Sequence, residues 1–295
     1  MKKSKVLFYA LFVMMLWGTL FPVVKLGYSA YQISTTGDIL FFAGVRFTVC
    51  GGIITAYTFI KDRNSFREIK HFYAPVLLSG VFAVVLHYSF TYLGLQLTAS
   101  SKTAILKQIG TLFYVCFSFL FFKEDKLTGK KLIALIMGFL GILAINVDAN
   151  GVGFAIGDLL IICASFCTVF ANVISKKVFL HVKPITSTGI SQLFGGVVLL
   201  ILGKMLGGSM QLSMDSSIFI MGYICLASIT SYCLWNTVVK DGELSKLFII
   251  KFAEPAFACV FGALILREDI FQLQYLIAFL LIAVGIVVVT EEKGD

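Results

Sequence analysis

An apolar stretch near the end of the chain, IIKFAEPAF from 249 to 257, contains two charged residues and a proline. Lys251 and Glu254 lie three residues apart, so on a helix their side chains share one face and can form an ion pair. Pro255 lacks a backbone donor and pushes against the carbonyl of Lys251, four residues earlier. One turn would therefore present an ammonium, a carboxylate and a freed carbonyl. Two interpretations are open: an ion pair that lowers the cost of two buried charges, or part of a polar binding site.

Arg46 and Lys107 are further cations inside long apolar segments. A charge at the centre of a bilayer costs on the order of 2.5–3.5 kcal/mol, and such residues usually face a bundle interior or a wet cavity. Lys107 could instead extend its ammonium to the membrane surface, whereas Arg46 lies too deep for this. Glu254 is the only carboxylate well inside a predicted span. A cavity shared by these groups would be net positive and would favour an anionic or zwitterionic solute.

Two aromatic clusters with polar neighbours, HYSFTY from 87 to 92 and SYCLWN from 231 to 236, occupy related places in the chain. Tyr88, Tyr232, Trp235 and Asn236 suit a small-molecule cavity, because such sites combine aromatic surface with a few polar groups. They also suit packing between helices, so both roles stay open. His87 is expected to bond to a neighbouring helix, with a place in the cavity lining as the alternative.

Composition identifies the solvent in which the chain folds. Hydrophobic residues make up 59% of it, charged residues 14%, and the mean hydropathy is +0.95, far outside the range of soluble domains. Apolar runs of about 20 residues predict membrane-spanning helices. Ten such runs cover 6–26, 38–60, 74–95, 103–122, 132–147, 157–178, 185–204, 216–239, 247–266 and 270–289.

The positive charges predict the orientation, because basic residues in short loops stay on the cytoplasmic side. With the N-terminus inside, the inner segments hold 17 of the 24 Lys and Arg residues, and the outer segments hold three. Both termini are therefore expected in the cytoplasm. The same bias accounts for the net charge of +8, so the basic balance does not indicate a nucleic-acid partner.

An internal repeat organises the chain. Residues 105–145 aligned on 249–289, at an offset of 144, give 12 identities in 41 positions without a gap. Lys107 falls on Lys251, and the same offset places Tyr88 on Tyr232. Five helices per copy is an odd number, so the second copy would enter the membrane from the opposite side. Inverted repeats of this kind place a solute site near the midplane between the halves.

Several motifs in this order resemble the EamA family of the drug/metabolite transporter superfamily. They are Trp17-Gly18 with Lys25 eight residues later, Trp235-Asn236, Pro255 with Glu268 thirteen residues later, and Gly141 with Gly285. The resemblance implies ten helices, a central cavity lined by both halves, and transport, often export, of amino acids or other small metabolites. The chain departs from the pattern where Thr111 stands at the position equivalent to Pro255, which predicts a helix break in the second half only.

The sequence thus predicts an all-α integral membrane protein of the cell membrane, with ten transmembrane helices in two inverted five-helix repeats, residues 1–147 and 148–295. The expected function is a secondary transporter, exporter or facilitator, of amino acids or organic anions; an exporter of cationic drug-like compounds and a non-transporting receptor are the alternatives. Expected partners are a small solute and membrane lipid, with monomer and homodimer both open, and no enzyme activity, cofactor or metal is expected. The predicted solute-binding residues are Trp17, Arg46, Tyr88, Lys107, Tyr232, Trp235, Asn236, Lys251 and Glu254, and the predicted helix-break or gating positions are Pro22, Thr111 and Pro255.

Overall fold

A computed structural model describes residues 3–121, 128–145, 147–148, 151–152, 154–211, 217–241, 247, 250–251 and 253–290. In chain order its helices are α1 (Lys3–Ala30), α2 (Thr36–Lys61), α3 (Ser65–Ile69), α4 (Tyr73–Gly80), α5 (His87–Leu97), α6 (Ser100–Leu106), α7 (Gln108–Phe117), α8 (Gly129–Ile145), α9 (Ile156–Val178), α10 (Pro184–Met205), α11 (Ser217–Asp241), α12 (Ala253–Leu266) and α13 (Leu273–Thr290). A π-helical turn, Val81–Leu86, joins α4 to α5, and a 3₁₀ turn, Ser118–Leu120, follows α7. Two short strands, β1 (Val147–Asp148) and β2 (Gly151–Val152), pair antiparallel.

Six helical stretches are long and apolar enough to cross a membrane: Val6–Ala30, Thr36–Lys61, Tyr73–Leu97, Ile156–Val178, Pro184–Met205 and Ser217–Lys240. They coincide with six of the ten predicted spans. The predicted spans at 132–147, 247–266 and 270–289 contain shorter apolar helices, and the one at 103–122 is divided between α6 and α7. The protein is therefore a multi-pass membrane protein.

Helix starts follow local sequence signals. The hydroxyl of Thr35 accepts a hydrogen bond from the backbone N–H of Asp38 at 3.1 Å, and the Asp38 carboxylate accepts one from the Thr35 N–H at 2.9 Å. This reciprocal capping box begins α2. Pro184 occupies the first turn of α10, where its missing N–H has no intrahelical partner to lose.

Close helix contacts at glycine hold α2 against α10. A Cβ added at Gly51 would lie 2.6 Å from the Cα of Leu193, and one at Gly44 would lie 2.8 Å from the Cα of Leu200. Small residues let two backbones approach closely, and the resulting van der Waals packing favours helix association inside lipid. Because α2 and α10 belong to different predicted halves, this contact runs between them.

Both predicted halves also exchange contacts through their first helices. Helix α1 packs against α11 and α12, while α9 packs against α4, α5 and α7. Trp17 on α1 packs against both of the two largest groups of buried apolar residues. The residues that line the central cavity therefore come from helices of both halves.

Two helix interruptions occur at lysines that are 144 residues apart. Helix α6 ends at Leu106, Lys107 forms a turn, and α7 follows; Lys251 likewise lies in a turn just before α12. The Lys107 carbonyl accepts from the Gly110 N–H at 3.3 Å, and the Lys251 carbonyl accepts from the Glu254 N–H at 3.0 Å. The hydrogen bond to the lysine carbonyl comes from the third residue after the lysine at both places.

The expected helix break in the second half only is therefore wrong. Lys107 has φ −61° and ψ −19°, values typical of a 3₁₀ turn that requires no proline. The carbonyl of Lys251 is not freed either, since it accepts from Glu254. Pro255 sits in the first turn of α12, where a missing N–H breaks no hydrogen bond. At the third predicted position, Pro22, α1 continues without interruption.

Candidate solute site

A cavity of about 80 Å³ lies between the helices of the two predicted halves. One water needs roughly 10–15 Å³ by the same measure, so the cavity can hold several waters or a small solute. Its walls are formed by side chains from α1, α2, α4, the π turn, α5, α9, α10, α11, α12 and both lysine turns. All nine predicted solute-binding residues line it: Trp17, Arg46, Tyr88, Lys107, Tyr232, Trp235, Asn236, Lys251 and Glu254.

Arg46 is buried, with 1% of its surface exposed. Its Nε donates to the Ser228 hydroxyl at 2.9 Å, and its Nη1 donates to the Tyr92 hydroxyl. The guanidinium also lies over the ring of Phe47, 4.7 Å from the centroid. Within the described residues Nη2 has no hydrogen-bond partner, and no carboxylate forms a salt bridge with Arg46. Because an arginine stays charged in proteins, this is a rigidly held cation with one donor group to spare.

The ion pair in the cavity joins the two predicted halves. Lys107 Nζ lies 3.6 Å from Glu254 Oε1, with side-chain exposures of 13% and 2%. The sequence left an intrahelical pair between Lys251 and Glu254 open, but the salt bridge seen in the described residues is to Lys107. The distance exceeds that of a hydrogen bond, and Glu254 Oε1 has no hydrogen-bond donor in the part of the chain described.

Aromatic rings surround the second lysine. Lys251 Nζ lies 5.6 Å from the Trp17 ring centroid and 5.7 Å from that of Trp235. The ring centroids of the two indoles are 5.2 Å apart. A cation over an indole face is stabilised by up to about 2 kcal/mol when it is desolvated. The ring pair therefore lowers the cost of keeping this ammonium inside the membrane.

Two tyrosines at repeat-related positions bond to each other. The hydroxyls of Tyr88 and Tyr232 are 2.6 Å apart, and the positions differ by 144 in sequence. Tyr232 also packs against Trp17, and their ring centroids are 5.7 Å apart. The tyrosine pair thus connects the surroundings of Arg46 with those of Lys251.

Trp235 and Asn236 fix α11 against the helices beside it. Trp235 Nε1 donates to the Asn172 side-chain oxygen at 2.8 Å, and Asn236 Nδ2 donates to the Thr188 hydroxyl at 2.7 Å. Both partners line the cavity. Thr111, one of the predicted helix-break or gating positions, is buried and donates to the side-chain oxygen of Gln108 at 3.2 Å.

Several lining residues were not predicted from the sequence: Tyr92, Thr168, Asn172, Thr188, Ser191 and Gln192. The repeat contained a signal for Thr168, because the first helices of the two copies align at an offset of 151, which places Lys25 on Lys176 and Trp17 on Thr168. Gln192 had no such signal, although it is buried with neither amide atom hydrogen-bonded in the described structure. No group of three or more His, Cys, Asp or Glu side chains suitable for a metal occurs among the described residues.

Polar groups outside the membrane-spanning helices also connect segments of the two halves. The Glu268 carboxylate accepts from the backbone N–H groups of Ser100 and Ser101 at 2.8 and 3.0 Å and from their hydroxyls at 2.6 and 2.8 Å. Burial raises the pKa of Glu268, but these hydrogen bonds outweigh it and lower the pKa below its ordinary value. Donation from Lys183, and secondly from Ser65, likewise lowers the pKa of Asp62.

Two segments of the chain, residues 4–147 and 155–291, match the EamA-like transporter family. The protein belongs to this family. An uncharacterized transporter of Archaeoglobus fulgidus is 23% identical over 283 residues, covering 94% of this chain and 95% of that protein. The uncharacterized inner membrane transporter YedA of Escherichia coli is 25% identical over 291 residues, covering 97% of this chain and 91% of YedA.

A chloroplastic WAT1-related protein of Arabidopsis thaliana is 26% identical over 292 residues, which are 95% of this chain and 68% of that protein. One crystal structure superimposes with a TM-score of 0.71, covers 98% of both chains and is 18% identical in sequence. At that identity the likeness concerns the fold alone. Membership of the EamA-like family makes this chain a transporter whose cargo is a small molecule.

Proposed function

We propose that this EamA-like protein is a secondary transporter of small anionic or zwitterionic metabolites, such as amino acids or organic anions, which works by alternating access. Ten helices would form two inverted halves, residues 1–147 and 148–295, with both termini in the cytoplasm of a cell whose plasma membrane holds the protein. The cavity would be the solute site, and the two halves would rock around it.

The observation that carries this proposal is the meeting of Arg46, Lys107, Lys251 and Glu254 in one cavity between the halves. Three cations against one carboxylate attract negative charge. Arg46 contributes a spare N–H group, and arginine binds carboxylate and phosphate groups well because of its planar fork of donors. A hydrophobic cation would meet repulsion here.

Three features support the repeat, and its inversion is inferred from five helices per copy. The family matches the chain in two successive segments of similar length. The tyrosines that bond to each other, Tyr88 and Tyr232, occupy equivalent repeat positions. The hydrogen-bonded turns at Lys107 and Lys251 also have the same pattern. A shared local geometry at one fixed offset is expected when the two copies fold alike.

The test is flux into sealed vesicles reconstituted with purified protein. Labelled amino acids, hydroxy acids and dicarboxylic acids are compared with the lipophilic cation tetraphenylphosphonium. We expect flux of at least one anionic or zwitterionic solute, at least tenfold slower flux in Arg46→Gln, and partial retention in Arg46→Lys. Arg63→Gln is the matched control, since Arg63 is exposed in the connection after α2 and should leave the flux unchanged.

Flux of the cation alone would contradict the proposed charge selectivity and favour a cation exporter. Absence of flux for the whole panel, in protein whose melting temperature nevertheless rises with one of these solutes, would favour a receptor that binds without transport.

A further inference from the structure

His87 follows the π-helical turn at the start of α5 and faces both a neighbouring helix and the cavity. Its Nδ1 lies 3.0 Å from the Ala164 carbonyl and 2.9 Å from the Thr168 hydroxyl. A carbonyl can only accept, so Nδ1 carries a hydrogen. The Thr168 hydroxyl donates to that same carbonyl at 3.2 Å, which leaves its oxygen to accept as well. The expected bond from His87 to another helix is thus present, and it fixes the tautomer.

The other ring nitrogen has a different environment. None of the hydrogen bonds of the described residues involves His87 Nε2, and the residue is one of those lining the cavity. Three cationic side chains, Arg46, Lys107 and Lys251, already face this cavity with a single carboxylate, so a proton on Nε2 would add a fourth positive charge. The imidazole is therefore neutral, and Nε2 is a hydrogen-bond acceptor.

Glu254 is the only charged acceptor among the described residues that line this cavity, and the other charged groups there are donors. Glu254 is itself engaged by Lys107. We propose that His87 is a specificity-determining residue that accepts a hydrogen bond from an ammonium or hydroxyl group of the transported solute. The solute class would be amino acids or hydroxy acids, which carry a donor besides the carboxylate, in preference to plain carboxylates. This inference rests on the proposed transport of anionic or zwitterionic solutes.

Two matched solute series test it by flux into vesicles: alanine, lactate and propionate, and phenylalanine, 3-phenyllactate and 3-phenylpropionate. Members of a series share the carboxylate and differ in the donor beside it. One neutral hydrogen bond between protein and solute corresponds to about a two- to tenfold difference in flux between members of a series. We expect the wild type to move a donor-bearing member at least that much faster than the plain carboxylate.

Substitutions separate recognition from packing. His87→Asn keeps an N–H near the position of Nδ1, so it can still bond to the Ala164 carbonyl, but it lacks the distal acceptor; His87→Gln restores an acceptor at the distal position. In the Asn variant we expect the donor-bearing solute and the plain carboxylate to move at about equal rates. In the Gln variant we expect the faster flux of the donor-bearing solute to return. His87→Phe keeps a ring without nitrogen and serves as the second acceptor-free variant if the Asn variant does not fold.

The outcomes are distinguishable from those of the proposed function. Equal wild-type fluxes within each series, or an unchanged preference in the folded acceptor-free variant, would overturn the role of His87 and leave transport intact. Absence of flux for every anionic and zwitterionic solute tested would overturn the proposed function and this inference with it.

Discussion

Removing the carboxylate of the cavity should destabilise the protein more than removing the whole ion pair. Lys107 Nζ and Glu254 Oε1 are 3.6 Å apart and largely buried. With an effective dielectric constant of about 20, two unit charges at that distance attract by about 5 kcal/mol. Desolvation of both groups offsets much of this, so we expect a net coupling of about 1–3 kcal/mol. Glu254→Gln alone leaves three cations facing one another.

A double-mutant cycle measures this coupling. Unfolding free energies of Glu254→Gln, Lys107→Met and the double variant are compared in mixed micelles by titration with a denaturing detergent. The double variant should lose less unfolding free energy than the two single variants lose together. The difference should equal the expected coupling of about 1–3 kcal/mol. A parallel cycle with Lys204→Met is the control, because Lys204 is exposed near the end of α10 and does not line the cavity that holds Glu254. Coupling below about 0.5 kcal/mol for the Lys107 cycle, or a larger coupling in the control cycle, would refute an ion pair between the halves.

Two further predictions concern residues away from the charged cavity. Glu268 has a lowered pKa, so its bonds to Ser100 and Ser101 stabilise the fold at neutral pH, and this contribution is lost as the pH falls through its folded-state pKa. Glu268→Gln should therefore melt at a lower temperature at pH 7, and the difference in melting temperature from wild type should narrow as the pH is lowered below the ordinary carboxyl pKa value of 4.5. A difference that widens on acidification contradicts this. Gly51→Ala should cost about 1–3 kcal/mol of unfolding free energy, because the new methyl group would overpack against Leu193. Gly52→Ala is the control and should be neutral or stabilising, since no atom lies within 4 Å of its new Cβ. Equal costs for the two substitutions would contradict the packing of α2 on α10.

The sequence was most informative about charges and about the repeat. A charge in a long apolar run is costly wherever it lies, so Arg46, Lys107, Lys251 and Glu254 could be identified as cavity candidates without any tertiary information. The offset of 144 also anticipated that Tyr88 and Tyr232 occupy related places. These inferences depend on composition and spacing, which a single sequence contains in full.

Tertiary register was beyond the sequence. The partner of Glu254 depends on how α12 lies against the turn after α6, and intrahelical spacing favoured Lys251 instead. Neutral polar residues such as Gln192 and Asn172 also form hydrogen bonds between packed membrane helices, so their type alone did not separate cavity lining from packing. The helix interruption at Lys107 has ordinary backbone angles and no proline beside it, so no residue in the sequence indicated that a helix ends there.

Alternating access is the central claim, and substituted-cysteine accessibility tests it most directly. Ser191→Cys places a small thiol on the cavity wall, and the wild type gives the background from the natural cysteines. A membrane-impermeant thiol reagent is added to one side of oriented vesicles and then, separately, to the other. We predict labelling above background from each side, with protection by a transported solute. Labelling from one side only, unchanged by any transported solute, would contradict a cavity that opens to both sides in turn.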